Sequence, residues 1–115
     1  MAAINYEEKK KLIERYVEVS NSHDIEEILA FYDNDCKITL DGNVLDDGMQ
    51  ILKQVLIKEL QSPTSTVRLL KYLPVDKDDR IRALFEINSR RQVDETYVLS
   101  ESGRFIELIA QVLVP

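Results

Sequence analysis

Between Tyr6 and about Asn21 the positions Leu12, Ile13, Tyr16, Val17 and Ser20 recur at helical spacing, while Lys9, Lys11, Glu14, Arg15 and Glu18 cover the other faces. This pattern predicts an amphipathic helix. Asn21-Ser22-His23 reads as a turn, and Asp24 with Glu27 three residues on forms a capping box that starts a second helix. Its expected buried stripe is Ile25, Ile28, Leu29 and Tyr32. The period then changes: Cys36, Ile38 and Leu40 alternate with Lys37, Thr39 and Asp41, as in a half-buried strand with its even-numbered face inward. Asp41-Gly42-Asn43 is a turn. Asp47 with Gln50 is expected to cap a third helix carrying Met49, Leu52, Val55, Leu56 and Leu60, which Ser62-Pro63 ends.

Four strand-like stretches follow, about 66–73, 80–89, 92–100 and 104–114, joined by Asp78-Asp79, Arg90-Arg91 and Ser102-Gly103. Helices first and strands later is the pattern of an α+β layer fold. Ile81, Ala83, Phe85 and Ile87 form one apolar face, and Val93, Tyr97 and Leu99 share a face with Glu95. For these faces to coincide, paired residue numbers must have an even sum, so the Arg90-Arg91 turn needs an odd number of loop residues. In the last hairpin an odd sum is expected, which places Ile106, Leu108, Ala110 and Val112 on the same face. Glu95 then lies among Phe85, Ile87 and Leu108, a carboxylate among apolar side chains.

The 115 residues suit one domain, 1–115, with a single core. A formal net charge of −6, with Lys9-Lys10-Lys11 and Arg90-Arg91 as the basic clusters, argues against nucleic acid as a partner. A single cysteine, Cys36, and a single histidine, His23, argue against an internal disulfide, a metal cluster or a Cys-His catalytic pair. No cofactor is expected. Neither a signal-like start nor an apolar run of spanning length is seen, so the expectation is a cytoplasmic protein away from membranes.

Arg15-Tyr16-Val17, Asn21-Ser22-His23-Asp24, Phe31 to Asp35, Asp47-Gly48 and Gly103-Arg104 occur in an order and spacing that resemble the nuclear transport factor 2-like superfamily. Within it the likeness is to ketosteroid isomerases and SnoaL-like polyketide cyclases. The resemblance implies a cone-shaped curved antiparallel or mixed β-sheet, with three N-terminal helices packed on its concave face around an apolar pocket. It implies that Tyr16 stands where the isomerases have their oxyanion-hole tyrosine and Glu95 where they have a protonated carboxylic acid. The pocket lining then comprises Tyr16, Tyr32, Ile38, Leu40, Leu56, Phe85, Val93, Glu95, Tyr97 and Leu108. The isomerase base falls on Leu40. Its neighbour Asp41, the remaining catalytic candidate, is expected to point to the opposite face and to serve the turn before Gly42.

Two readings stand side by side for each polar group. Tyr16 is either a core tyrosine or a pocket donor, and Glu95 is either buried or a solvated residue paired with Arg80, Arg82 or Arg90. Asp24, Glu26, Glu27, Asp46 and Asp47 read as helix starts. Function divides likewise: a site for a small apolar carbonyl ligand, with isomerase, cyclase or lyase chemistry if it is an enzyme, or a non-catalytic dimeric interaction module. Leu84, Val98, Phe105, Ile109 and Leu113 are expected on the convex sheet face, where they imply a symmetric homodimer.

Overall fold

The computed structural model describes residues 4–114. Helix α1, Tyr6–Ser22, starts in a capping box in which Asn5 and Glu8 satisfy each other's backbone N–H groups. It ends at His23, which adopts a left-handed conformation (φ 63°) and donates from Nε2 to the Ser65 carbonyl at 2.7 Å. The Asn21 amide pairs with both backbone groups of Val67, so the end of α1 is stitched to the sheet edge. Helix α2, Ile25–Leu29, is capped by Asp24, whose Oδ1 accepts from the Glu27 N–H, but the expected box is not closed: the Asp24 N–H donates to Ser22 Oγ instead of the Glu27 side chain. Tyr32 does not extend it; that residue begins strand β1, Tyr32–Leu40, although its side chain is buried.

A two-residue strand β2, Asn43–Val44, follows the Asp41-Gly42 turn and pairs with the end of β1. Helix α3, Gly48–Glu59, opens on Asp47 with φ 53° and no side-chain capping bond, so the expected capping box is absent. Gly48 is required there by space. A Cβ on it would lie 2.7 Å from Cγ1 of Ile38, so its absence lets the helix rest directly on β1. Met49, Leu52, Leu56 and Leu60 pack against the core but stay half-buried, and Val55, expected inward, is exposed.

Strands β3 (Val67–Leu73), β4 (Arg80–Ile87), β5 (Arg91–Leu99) and β6 (Phe105–Val114) complete a six-stranded sheet ordered β2-β1-β6-β5-β4-β3. The sheet is mixed, because β1 runs parallel to β6, and it is open, with β2 and β3 at its edges, rather than a closed barrel. The β4–β5 register has even sums, such as Ile81 with Tyr97, across a turn in which Asn88 and Ser89 both take positive φ. The β5–β6 register has odd sums from Val93 with Val112 to Tyr97 with Leu108, as expected.

One strand face departs from the alternation. A bulge between Val98 and Leu99 pairs Leu99 with Phe105, which turns Phe105 inward and leaves Ile106 exposed. Phe105 is fully buried, so it belongs to the core and not to the convex face. Helix α1 packs on β3 and β4, α3 on β1, and α2 against both other helices.

Candidate functional site

The register orders the concave face into rows. Tyr32, Phe105 and Leu99 form the lowest; Ile38, Leu108, Tyr97 and Ile81 the next; then Leu40, Ala110, Glu95, Ala83 and Tyr72; then Val112, Val93, Phe85 and Leu69. The lower rows are aromatic and closed. The Tyr16 ring meets those of Phe31, Tyr32, Tyr97 and Phe105 edge-on at centroid distances of 5.2–5.9 Å, and Tyr97 lies 4.4 Å from Phe105. Edge-on packing of this kind joins the positive rim of one ring to the negative face of another.

The polar ends of these rings converge. The hydroxyls of Tyr16 and Tyr32 are 2.5 Å apart, and the Tyr97 hydroxyl donates to Glu95 Oε1 at 2.7 Å. Three tyrosines reach this place from α1, β1 and β5. Glu95 and Tyr97 share it because residues two apart on a strand point to one face. Burial pushes the Tyr16 hydroxyl well above its ordinary range, and the nearby Glu95 charge pushes it further. Glu95 itself is raised from 4.5 to about 7, chiefly because burial strips water from its charged form; the Tyr97 hydrogen bond offsets part of this and the Asp94 charge adds to it.

Among the described residues no cation forms a salt bridge with Glu95. Arg82 is engaged by Asp94 through three hydrogen bonds of 2.6–3.2 Å on the opposite sheet face, and Arg80 by Asp79 at 2.9 Å. The solvated reading of Glu95 in a salt bridge with Arg80, Arg82 or Arg90 therefore does not hold, since none of the three pairs with it. Its cross-strand neighbours are Ala83 and Ala110, the smallest side chains of the face, and the residue is half-buried, with solvent reaching part of it.

The remaining candidates divide. Tyr32, Ile38, Phe85, Val93, Tyr97 and Leu108 are buried on the concave face, Leu56 lies half-buried on α3, and Leu40 is 38% exposed at the end of the Glu95 row. Asp41 stays in its turn with φ 50°, where Oδ1 accepts from the Val112 N–H at 2.9 Å; it does not join the tyrosines. Ala83 and Ala110 were legible on the apolar face, but their place on either side of Glu95 appears only once the strands are paired. Phe31 and Phe105 were missed as members of the aromatic floor.

Two surface grooves lie elsewhere. One of about 420 Å³ is lined by Glu26, Leu29, Asn34, Gln50, Lys53 and Arg104 among others, and one of about 380 Å³ by the start of α1 and the β3–β4 loop. Neither is lined by Tyr16, Tyr32, Tyr97 or Glu95. Among the described residues no group of three or more His, Cys, Asp or Glu side chains is placed to hold a metal. Among the described residues no helix is long and apolar enough to cross a membrane.

No protein-family model matches the chain, and no curated protein matches it in sequence. Solved structures do. A SnoaL-like protein of unknown function from Burkholderia thailandensis superposes with a TM-score of 0.77 at 13% identity, over 97% of this chain and 99% of that one. SalBIII, an epoxide hydrolase/cyclase-like enzyme in pyran ring formation in polyether salinomycin, gives 0.70 at 10% identity over 93% and 92%. An NTF2-like protein of unknown function from Cytophaga hutchinsonii gives 0.70 at 9% identity over 98% and 93%. The chain thus has the α+β fold of the SnoaL-like and nuclear transport factor 2-like proteins. At such identities the likeness is one of fold alone.

Proposed function

We propose that this is a small-molecule-binding domain whose site is the Glu95 row, roofed by α1 and α3, and whose ligand is a small apolar compound with a carbonyl oxygen. The observation that carries the reading is Glu95: a carboxyl on the concave face with no salt-bridge partner among the described residues, one tyrosine donor, and alanines on both flanks. Below about pH 7 its protonated form donates a hydrogen bond, and the aromatic floor supplies an apolar bed. Leu40 occupies the row's outer end, so the row offers no second carboxylate to act as a base. The expected role is binding, or catalysis in which the substrate or solvent moves the proton.

Fluorescence titration with acetylnaphthalene, a small apolar ketone, tests this. Binding is expected near pH 6, weakening above about pH 8, with Glu95→Gln removing the pH dependence and Tyr16→Phe lowering affinity. Absence of binding at either pH, or binding indifferent to both substitutions, would overturn the reading. Native mass spectrometry of the purified protein would reveal a co-purifying ligand directly.

A second reading has its own support. Leu113 is 48% exposed and Ile109 half-buried on the convex face, with half-buried Leu84 two strands away across β5. A homodimer through this face, serving an interaction module, would cover them. Sedimentation at micromolar concentration is the test: a dimer that Leu113→Asp dissociates supports it, and a monomeric wild type removes it.

A further inference from the structure

Helices α1 and α3 both roof the sheet but are held differently. Helix α1 is tied down along its length: the buried Lys9 donates to the Asp78 carbonyl, the Lys10 carbonyl accepts from the Tyr72 hydroxyl, the Tyr16 and Tyr32 hydroxyls meet, and Asn21 pairs with both backbone groups of Val67. Among the described residues α3 has a single side-chain tie to the sheet, Glu59 Oε1 accepting from Arg91 Nη1 at 2.9 Å. Its N-terminus lacks a side-chain cap, Gly48 is its one fully buried residue, and Ile51, Val55 and Ile57 are exposed by 36%, 47% and 43%. Apolar side chains left in water add nothing to the seating of a helix. An element with few buried contacts is the one that opens at a lower free energy than the whole fold.

The two ends of α3 fix the direction in which it can move. Gly48 lies against Ile38 on β1, in the row below Glu95, with no space even for a Cβ. Glu59 reaches Arg91, at the start of β5 and beyond the Val93 row. The helix thus crosses the Glu95 row obliquely, with Leu52 and Leu56 half-buried between its ends. After Leu60 the chain runs exposed through residues 61–64 before Ser65 anchors it, its carbonyl held by His23 and its hydroxyl by Asn88. The N-terminal end is therefore a pivot packed without slack. The C-terminal end is held by one partly exposed ion pair and followed by a stretch of exposed chain.

We propose that α3 is a gate over the Glu95 row: it swings about Gly48, the Glu59–Arg91 pair latches it shut, and release of that pair uncovers the carboxyl and the alanines beside it while α1 and the sheet stay in place. The gate rests on the reading of that row as the ligand site. Neither surface groove reaches Glu95, and α3 is the less firmly tied of the two helices above it. A partly exposed ion pair suits a latch, because it is weak enough to part often. Entry to the row is then a gated step, set by how often the helix opens.

Two measurements on the full chain test the gate without any ligand. In native-state hydrogen exchange the amides of residues 52–59 are expected to exchange at least about tenfold faster than those of residues 12–20 in α1. Glu59→Gln is expected to speed the α3 amides by a further factor of about two to five, the worth of a partly exposed ion pair, with α1 unchanged. Ala110→Cys places a thiol beside Glu95 in the row that α3 crosses. Its labelling by iodoacetamide, resolved from Cys36 by peptide mapping, is expected under native conditions and should rise by the same factor when Glu59→Gln is added. Exchange in α3 as slow as in α1, no response to Glu59→Gln, or labelling at 110 only at the rate of global unfolding would overturn the gate; wild-type and Glu59→Gln exchange decide the matter if Ala110→Cys fails to fold. An opening helix with no binding of acetylnaphthalene keeps the gate and removes the ligand reading, and binding of the ketone with α3 exchanging as slowly as α1 does the reverse.

Discussion

The floor of the cone and the row above it are built from the same strands yet differ in what they hold. In the floor, Tyr16, Phe31, Tyr32, Tyr97 and Phe105 fill the space ring against ring. One level up, Leu40, Ala110, Glu95, Ala83 and Tyr72 put two small side chains and a carboxyl under a helix that buries only Gly48 fully. The first arrangement maximises apolar burial. The second gives up part of it for a titratable group flanked by the two smallest side chains of the face.

The largest effect should come from the floor. Phe105→Ala removes a ring in contact with four others and is expected to cost about 3–5 kcal/mol, measured by denaturant unfolding. Leu56→Ala, over the looser row, should cost about 1–2 kcal/mol; equal losses at the two positions would erase the contrast. Gly48→Ala probes how α3 is seated, since its Cβ would meet the Ile38 side chain at 2.7–2.8 Å. It should destabilise by about 1–3 kcal/mol, with faster hydrogen exchange in α3 while the exchange of the floor residues stays slow.

Glu95 sharpens the comparison through pH. Its folded-state value of about 7 lies above the ordinary 4.5, so between these values the folded chain holds a proton that the unfolded chain has released. Stability contributed by this group is therefore complete below about pH 4.5, falls as pH rises through about 7, and levels off beyond it. Since solvent still reaches part of the residue, the loss is expected to be about 1–3 kcal/mol. Glu95→Gln should raise the melting temperature at pH 8 and change it little at pH 4; a lower value at pH 8 would place the carboxylate in a compensated site instead. The smallest effect is expected at Leu40, already 38% exposed. Leu40→Asp should cost under about 1 kcal/mol and, by adding a carboxylate at the end of the Glu95 row, should raise the Glu95 value further by like-charge repulsion, readable as an NMR titration.

Periodicity alone determined much of this protein. The helical repeat of α1, the change to period two at Cys36 and the even-sum register across the Arg90 turn are all local, because a helix or strand displays its pattern within a few residues. Glu95 was legible on an apolar face for the same reason, as were the turn role of Asp41 and the small side chains at 83 and 110. Tertiary structure decided what local pattern does not encode. The bulge at Val98 and Leu99 shifts alternation by one residue, bringing Phe105 in and sending Ile106 out. The parallel pairing of β1 with β6 lets Tyr32 approach Tyr16 and Leu40 join the Glu95 row. The burial of Lys9 depends on a loop 69 residues away in the chain. Each is a contact between distant segments, set by how faces and loops pack rather than by any repeat in the sequence.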